Sequence, residues 1–494
     1  MPLAVVPDLT PALPEIVLAV SLMFLLMLGV FTGDNTRARI TSYGCIIVLI
    51  IVISLMFFSM NGSSSTFGGV FIVNEFTVYI KTFVLISAIS VIIISREYLK
   101  TQSIRHFEFP ILIGMATLGM LMMISSNDFL ALYLGVELQS LSLYVIATFQ
   151  KNSARSAESG LKYFILGALS SGLMLYGISL IYGFAGSTSF NSLAEVFDNL
   201  DGEFPFVGIV VGLVFIITGF AFKVSAVPFH MWTPDVYEGA PTPVTAFFSL
   251  SPKIAAMGLF VRTMIEPFGD LDDQWQQIII LMAIASMGFA AFAAINQKNI
   301  KRMMAYSSIG HMGFALIGLA VAGVAEEITI RSHGIKSMLV YLGIYVFMNL
   351  GTFSCILLMK RNGRFLESID DLAGLSKTKP GLAMIFSIFM FSMAGIPPLA
   401  GFLGKLYVFE AAVLAELYGL AIIGVVTSVI GAFYYIRIVK VMYFDRSSEE
   451  LDPTISLEIK SVLIVTGFVI ISLILYPAPL FSSAEQAATA LLLR

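Results

Sequence analysis

The chain has 494 residues, 58% of them hydrophobic and only 12% charged, with a formal net charge of −4. An ordinary soluble domain carries about twice that share of charge, so water is not the main solvent for this sequence. The few charges form neither a basic stripe for nucleic acid nor a polybasic lipid-binding cluster, and nucleic acid is excluded as a partner.

Apolar runs of roughly 20 residues, each long enough to cross a hydrocarbon core of about 30 Å, recur from end to end with no soluble domain between them. The first residues, MPLAVVPDLTPALPE, lack the basic region of a cleavable signal, so the first run is expected to stay as a span. Fourteen spans are predicted, at about 11–31, 40–60, 75–95, 109–125, 127–149, 158–185, 206–226, 243–266, 276–295, 303–323, 335–358, 380–412, 416–442 and 459–477. Connections on one side hold Arg37, Arg39, Arg96, Lys100, Arg105, Lys151, Arg155, Lys298, Lys301 and Arg302, then Lys360, Arg361, Arg364, Lys377, Lys379, Lys440 and Arg446. The opposite loops are acidic or neutral, and by the positive-inside rule both termini are expected outside the cytoplasm.

The expected fold is therefore an all-α polytopic membrane protein, 1–494 as a single membrane domain. Sliding the chain 174 positions against itself lays SGLKYFILGALSSGLMLYG, from Ser159, over HGIKSMLVYLGIYVFMNLG, from His333. Lys162 meets Lys336, Gly177 meets Gly351, and Glu137 meets His311. The matched segments run in opposite directions on the predicted topology, which gives two inverted five-helix repeats, 109–266 and 276–442, as in transporters. The N-terminal three helices (1–108) and a C-terminal helix (443–494) flank them. Chance similarity between apolar helices is the competing explanation.

Each repeat is expected to contain a broken helix. Pro228, Pro234, Pro241 and Pro243 interrupt FKVSAVPFHMWTPDVYEGAPTP, and Pro397 and Pro398 interrupt MAGIPPLAGFLGK. A break at membrane depth frees backbone groups that need protein or water as partners, so such breaks line hydrated cavities. A packing kink is the alternative for either break alone.

Against this apolar background the charged residues are informative. Glu137 sits near the middle of its span, where an unpaired carboxylate costs several kcal/mol, so it must be paired, hydrated or protonated. Lys223 precedes the first break, Lys253 follows Pro252, and Lys405 follows the second break. A buried ammonium can lose and regain a proton when a nearby charge moves, and a row of such residues could pass protons between hydrated half-channels. His311 titrates naturally near neutral pH; a histidine simply bonded to a neighbouring helix is the other reading. Lys81, Lys162 and Lys336 stand near span ends, where a lysine snorkels to the interface, and for Lys81 that is the expected role. His230 and Glu238 are expected to order the loop beside the first break, and Arg437 and Lys440 to anchor the basic face. Cys45 and Cys355 stand alone, and the four histidines, His106, His230, His311 and His333, offer no facing pair for haem. Redox centres are expected elsewhere.

The segments FKVSAVPFHMWTPDVYEGAPTPVTAF, SPKIAA and GIPPLAGFLGKLYVF resemble the antiporter-like subunits of bacterial NADH–quinone oxidoreductase, respiratory complex I, over essentially the whole chain. That family is also similar to subunits of multisubunit sodium/proton antiporters and membrane-bound hydrogenases. The VYEGAPTP loop and the short C-terminal end point to one particular sister among these subunits. The resemblance implies a proton-translocating subunit, part of a translocase enzyme without holding its redox site, in which Glu137 pairs with Lys223 and Lys253 is the central lysine. It implies Lys405 as the terminal residue of the relay, and His311 and Lys162 as further polar positions on a hydrated axis. It also implies a bacterial inner-membrane location and partnership with other complex I membrane subunits, including sister antiporter-like subunits. No cofactor is expected in this chain; FMN, iron–sulfur clusters and quinone belong to partner subunits. A cation/proton antiporter subunit is the alternative function, and an inert membrane scaffold a third.

Overall fold

The computed structural model describes residues 7–59, 62–198, 206–446, 449–453 and 456–492. Residues 1–6, residue 60 and residues 493–494, which hold the start of the retained N-terminal stretch, the end of the second expected span and the C-terminus, lie outside the described residues.

The protein is helical throughout. Three helices open it, α1 (Leu13–Phe31), α2 (Asp34–Phe58) and α3 (Glu75–Thr101). They are followed by α4 (Glu108–Ser125), α5 (Phe129–Ala147), α6 (Ala154–Ala185), the short α7 (Phe190–Asp198) and α8 (Phe206–Val224). Next come α9 (Thr233–Gly239), α10 (Thr242–Ser249) and α11 (Ser251–Ile265), then α12 (Asp272–Ile295), α13 (Ile300–Val324) and α14 (Ile328–Ile356). After the single turn α15 (Leu375–Thr378) come α16 (Pro380–Ala394), α17 (Ala400–Leu414), α18 (Tyr418–Phe444), α19 (Leu457–Leu475) and α20 (Ala478–Leu492). The only strands among the described residues are two short antiparallel hairpins, Ser64–Thr66 with Phe71–Val73 and Lys360–Arg361 with Arg364–Phe365.

Among the described residues thirteen segments are long and apolar enough to cross a membrane, and the remaining expected span, 380–412, is the pair of 15-residue helices α16 and α17. Burial is graded across the bundle. α13 and α14 lie almost wholly inside it, whereas α1, α2, α6, α18 and α19 keep one side open with large apolar side chains, as lipid contact requires.

Both predicted breaks occur, α8 ending at Val224 and α16 at Ala394. Trp232 Nε1 donates to the Phe222 carbonyl (3.1 Å), the Val227 amide donates to Ser286 Oγ (2.9 Å), and the Gly401 amide donates to Ser392 Oγ (3.1 Å). Backbone groups freed at each break thus find protein partners, without which they would cost several kcal/mol each. A third discontinuity divides the expected span 243–266 at Leu250, between α10 and α11, directly beside Lys253. The Ser249 carbonyl released there accepts from the Tyr345 hydroxyl (3.1 Å).

The 174-residue offset reappears in the packing. A Cβ on Gly177 of α6 would lie 2.9 Å from Phe215 of α8, and one on Gly351 of α14 would lie 2.1 Å from Phe389 of α16. The two glycines and the two phenylalanines are each one offset apart, and each glycine lets a long helix close on the helix that breaks. α4 packs on α11 as α12 packs on α18.

One expectation needs correction, and one element was not expected. Beyond the last span a further helix, α20, lies across α3 and α14, burying Leu480, Ala484, Ala487, Ala488 and Leu491. Lys81 does not snorkel. Its side chain is 2% exposed and its ammonium bonds Glu15 of α1 at 2.6 Å, so the charge is met by a buried carboxylate and not by the interface.

Candidate functional site

Lys223, Lys253, His311 and Lys405 are all buried, at 7%, 0%, 2% and 6% exposure. Lys223 occupies the last turn of α8 and donates to Ser140 Oγ of α5 (2.7 Å). Ser140 lies one helical turn from Glu137, on the same face, so the carboxylate and ammonium adjoin through the serine without a direct bond, and they interact electrostatically. Glu137 Oε1 has no hydrogen-bond partner among the described residues.

Lys253, in the first turn of α11, donates to Ser308 Oγ of α13 (2.5 Å) and stands 5.4 Å from the centre of the Tyr237 ring. The Tyr345 hydroxyl lies 3.1 Å from Ser308 Oγ, sharing its one proton between that oxygen and the Ser249 carbonyl, and accepts from Asn349 Nδ2 (2.5 Å). One turn further along α13, His311 is held on both ring nitrogens, Nδ1 to the Tyr341 hydroxyl (2.6 Å) and Nε2 to the Tyr435 hydroxyl (3.0 Å). Tyr435 is also bonded to Ser307 Oγ (2.5 Å).

Lys405 ends the file. Its ammonium donates to Ser428 Oγ of α18 (2.8 Å) and to the Ala394 carbonyl at the C-terminus of α16 (2.9 Å), an acceptor left free by the helix end and favoured by its dipole. A cavity of about 10 Å³, room for roughly one water, is lined by both His311 and Lys405. The structure thus brings Lys253, Ser308, His311 and Lys405 into one polar file across α11, α13, α14, α17 and α18, and leaves Glu137 with Lys223 as a separate pair.

Lys162 is placed differently. It is 42% exposed and bonds Asp235 and Glu158, both at 2.8 Å. It belongs to an ion cluster in which Arg302 bonds Asp235 (2.7 Å) and Glu238 (3.0 Å), Arg155 bonds Glu238 (2.8 Å) and Glu367 (3.0 Å), and Lys301 bonds Glu367 (2.8 Å). The cluster ties α9, just after the first break, to α6 and α13. Burial works against ionisation of Asp235, but hydrogen bonds from Lys162 and Arg302, with their charges, hold its carboxyl below the ordinary value. Glu238 orders this loop as expected, while burial holds the His230 imidazole below its ordinary value, neutral against Phe289. Arg437 caps α12 by donating to the Ile295 carbonyl (3.0 Å), and Lys336 bonds Glu485 of α20 (3.1 Å).

Sequence reasoning missed the hydroxyl partners Ser140, Ser308, Tyr341, Tyr435 and Ser428, and the buried charges Glu15 and Arg262. Spacing marks some of them in retrospect: Ser308 and His311 share a face of α13, as Tyr341 and Tyr345 share one of α14. No group of three or more His, Cys, Asp or Glu able to hold a metal ion occurs among the described residues.

A family model for the membrane domain of NADH:quinone oxidoreductases and Mrp antiporters matches residues 126–431, the stretch holding every residue of the file. NADH-quinone oxidoreductase subunit N of Parvibaculum lavamentivorans is 52% identical over 99% of both chains, and that of Rhodospirillum rubrum 53% identical over 98% of this chain and 97% of its own. A chain of respiratory complex I from Thermus thermophilus superposes with TM-score 0.80 at 28% identity, over 95% of this chain and 98% of that one. A chain of the Mrp complex from Dietzia has the same fold, with TM-score 0.81 at 20% identity over 97% and 98%. By the matched model and these near full-length relatives, the chain belongs to the antiporter-like family of NADH:quinone oxidoreductase and Mrp membrane subunits, in its subunit N branch.

Proposed function

We propose that this chain is a proton-translocating membrane subunit of an NADH–quinone oxidoreductase and that its buried polar file is the path. Lys223 and Glu137 form the charge pair at the first break, Lys253 is the central proton carrier, His311 links it onward, and Lys405 is the terminal group at the second break. Lys162 acts from the ion cluster, through Asp235, on the segment that follows the first break. The chain holds no redox group; FMN, iron–sulfur clusters and quinone belong to partner subunits, beside sister antiporter-like subunits in a bacterial inner membrane. The inverted repeats run 109–266 and 276–442, with both termini on the outer side.

The observation that carries this reading is the bonding of the three lysines. Each buried ammonium is held by a serine hydroxyl, and none is directly bonded to a carboxylate among the described residues. A hydroxyl both donates and accepts, so it can hold the charged or the neutral amine and pass a proton. Near half-identity to subunit N relatives favours coupling to quinone reduction over sodium/proton exchange. Lys223→Ala in the intact complex should lower proton pumping and NADH–quinone reduction together. Normal values of both would remove the relay role, and sodium-dependent proton exchange without NADH would favour the antiporter function.

A further inference from the structure

Away from this file lies a second set of buried charges. Glu15 of α1 and Lys81 of α3 are bonded at 2.6 Å with side chains 6% and 2% exposed. Beside them is Arg262 of α11, whose side chain is 1% exposed and whose charge acts on Lys81. α11 runs along α3: Ser251 Oγ donates to the Val84 carbonyl (3.4 Å), and a Cβ on Gly258 would lie 3.0 Å from Ile80. Arg262 donates through Nε to Glu266 (2.9 Å) and through Nη1 to the Ile124 carbonyl (2.8 Å). Among the described residues, Arg262 Nη2 and Glu15 Oε2 are buried without hydrogen-bond partners.

Glu266, which Arg262 bonds, lies on the face opposite the ion cluster. A cavity of about 730 Å³ opens there, lined by Glu75, Asn127, Glu195, Asp198, Glu266 and Asp270. Asn127 is 1% exposed, and its Oδ1 is also buried and unpartnered among the described residues. At 1.5 Å per residue, Lys81 lies about 9 Å along α3 from Glu75 on the cavity wall, and Arg262 about 6 Å along α11 from Glu266. Lys253 lies about 14 Å along α11 from Arg262 by the same measure. The buried charges therefore occupy the interval between the central lysine and the cavity.

We propose that Glu15, Lys81 and Arg262 form a proton half-channel joining the Lys253 file to this acidic cavity. The proposal rests on the proton-translocating reading of that file. Glu15 and Lys81 are the titrating pair: a proton leaves Lys81 Nζ, breaking an N–H bond, and binds Glu15 Oε1, turning an ion pair into a neutral pair. Glu15 passes the proton to water on the cavity side, and Lys81 takes another from the interior. Arg262 cannot deprotonate, so it stays as a fixed positive charge that bars hydrated cations.

The deciding variant is Lys81→Arg in the intact complex, because arginine keeps the ion pair and its charge but cannot release a proton. NADH-driven pumping and quinone reduction should fall about tenfold or more, given that a positioned proton carrier contributes on the order of 10²–10⁴ to its step, while the complex assembles normally on a native gel. Normal pumping in assembled Lys81→Arg complex overturns the half-channel. If that variant does not assemble, Glu15→Gln takes its place with the same two outcomes. Lys253→Met, measured alongside, separates the two claims. If it is inactive while Lys81→Arg is normal, the half-channel alone fails; if Lys253→Met pumps normally, the relay reading of the file fails.

Discussion

Gly395→Ala tests the geometry of the second break without touching a titratable group. Gly395 caps α16 in the left-handed region (φ 81°, ψ 39°). A Cβ there would lie 2.8 Å from Lys405 Cδ and 3.2 Å from its Nζ. Alanine costs about 1–2 kcal/mol in that backbone conformation. The lysine must then retreat from the Ala394 carbonyl and Ser428 Oγ, and hydrogen bonds to a charged group are worth about 1.5–3 kcal/mol each. Full displacement therefore costs about 4–8 kcal/mol by these values, enough to empty the observed position of the ammonium. Gly186 is the control: it caps α6 at φ 75° with nothing within 4 Å of an added Cβ, so Gly186→Ala carries only the backbone cost. In vesicles containing the assembled complex, Gly395→Ala should lose NADH-driven pumping and Gly186→Ala should keep it. Equal behaviour of the two variants would refute the placement of Lys405 as the reason for the glycine.

Two further outcomes follow from the site. Tyr341→Phe and Tyr435→Phe each leave one ring nitrogen of buried His311 without its partner, at about 1–3 kcal/mol, which corresponds to about 5- to 150-fold in a dependent rate; unchanged turnover in both would remove His311 from the file. Asp235, with its carboxyl held below the ordinary value, contributes its ties in full above the ordinary carboxylate value of about 3.9 and loses them only as pH falls through the lower folded value. Hydrogen exchange of α9 should therefore stay protected at pH 5 and loosen only below about pH 4; loosening that begins between pH 5 and 6 would contradict this.

The spans were legible because a bilayer imposes one length and one composition on each of them, and the breaks because proline cannot continue a helix. The discontinuity at Leu250 was less visible. Pro252 is compatible with the first turn of a helix, and the residues around it are as apolar as those of an uninterrupted span. α20 was missed for a related reason: SSAEQAATALLL is too polar for a span, and its apolar stripe acquires meaning only against α3 and α14. The lysines stood out against an apolar background, whereas their partners did not. Serine is common on membrane helices, where its hydroxyl bonds the preceding turn as Ser87 and Ser387 do here, so nothing local separates Ser308 from them. Lys81 was misread because its partner is 66 residues away on α1.

The contrast between the two kinds of buried lysine bears on mechanism. Lys81 and Lys301 each hold a carboxylate, at 2.6 and 2.8 Å, and each link joins helices or loops distant in sequence. Removing one partner from such a pair strands a charge and costs about 3–5 kcal/mol, so these links resist change unless a proton moves within the pair. Lys223, Lys253 and Lys405 instead bond no carboxylate among the described residues; Glu137 acts on Lys223 without a direct bond. Three ammonium groups cannot all remain charged in the interior cheaply. In the proposed relay, a charge arriving at Lys223 would therefore favour release at the next lysine. In the proposed relay the shortage of carboxylates beside the lysines is what permits transfer, and introducing one opposite Lys253, as in Ser308→Asp, should trap the ammonium and stop pumping in an assembled complex; pumping at the normal rate would show that the relay does not depend on that shortage.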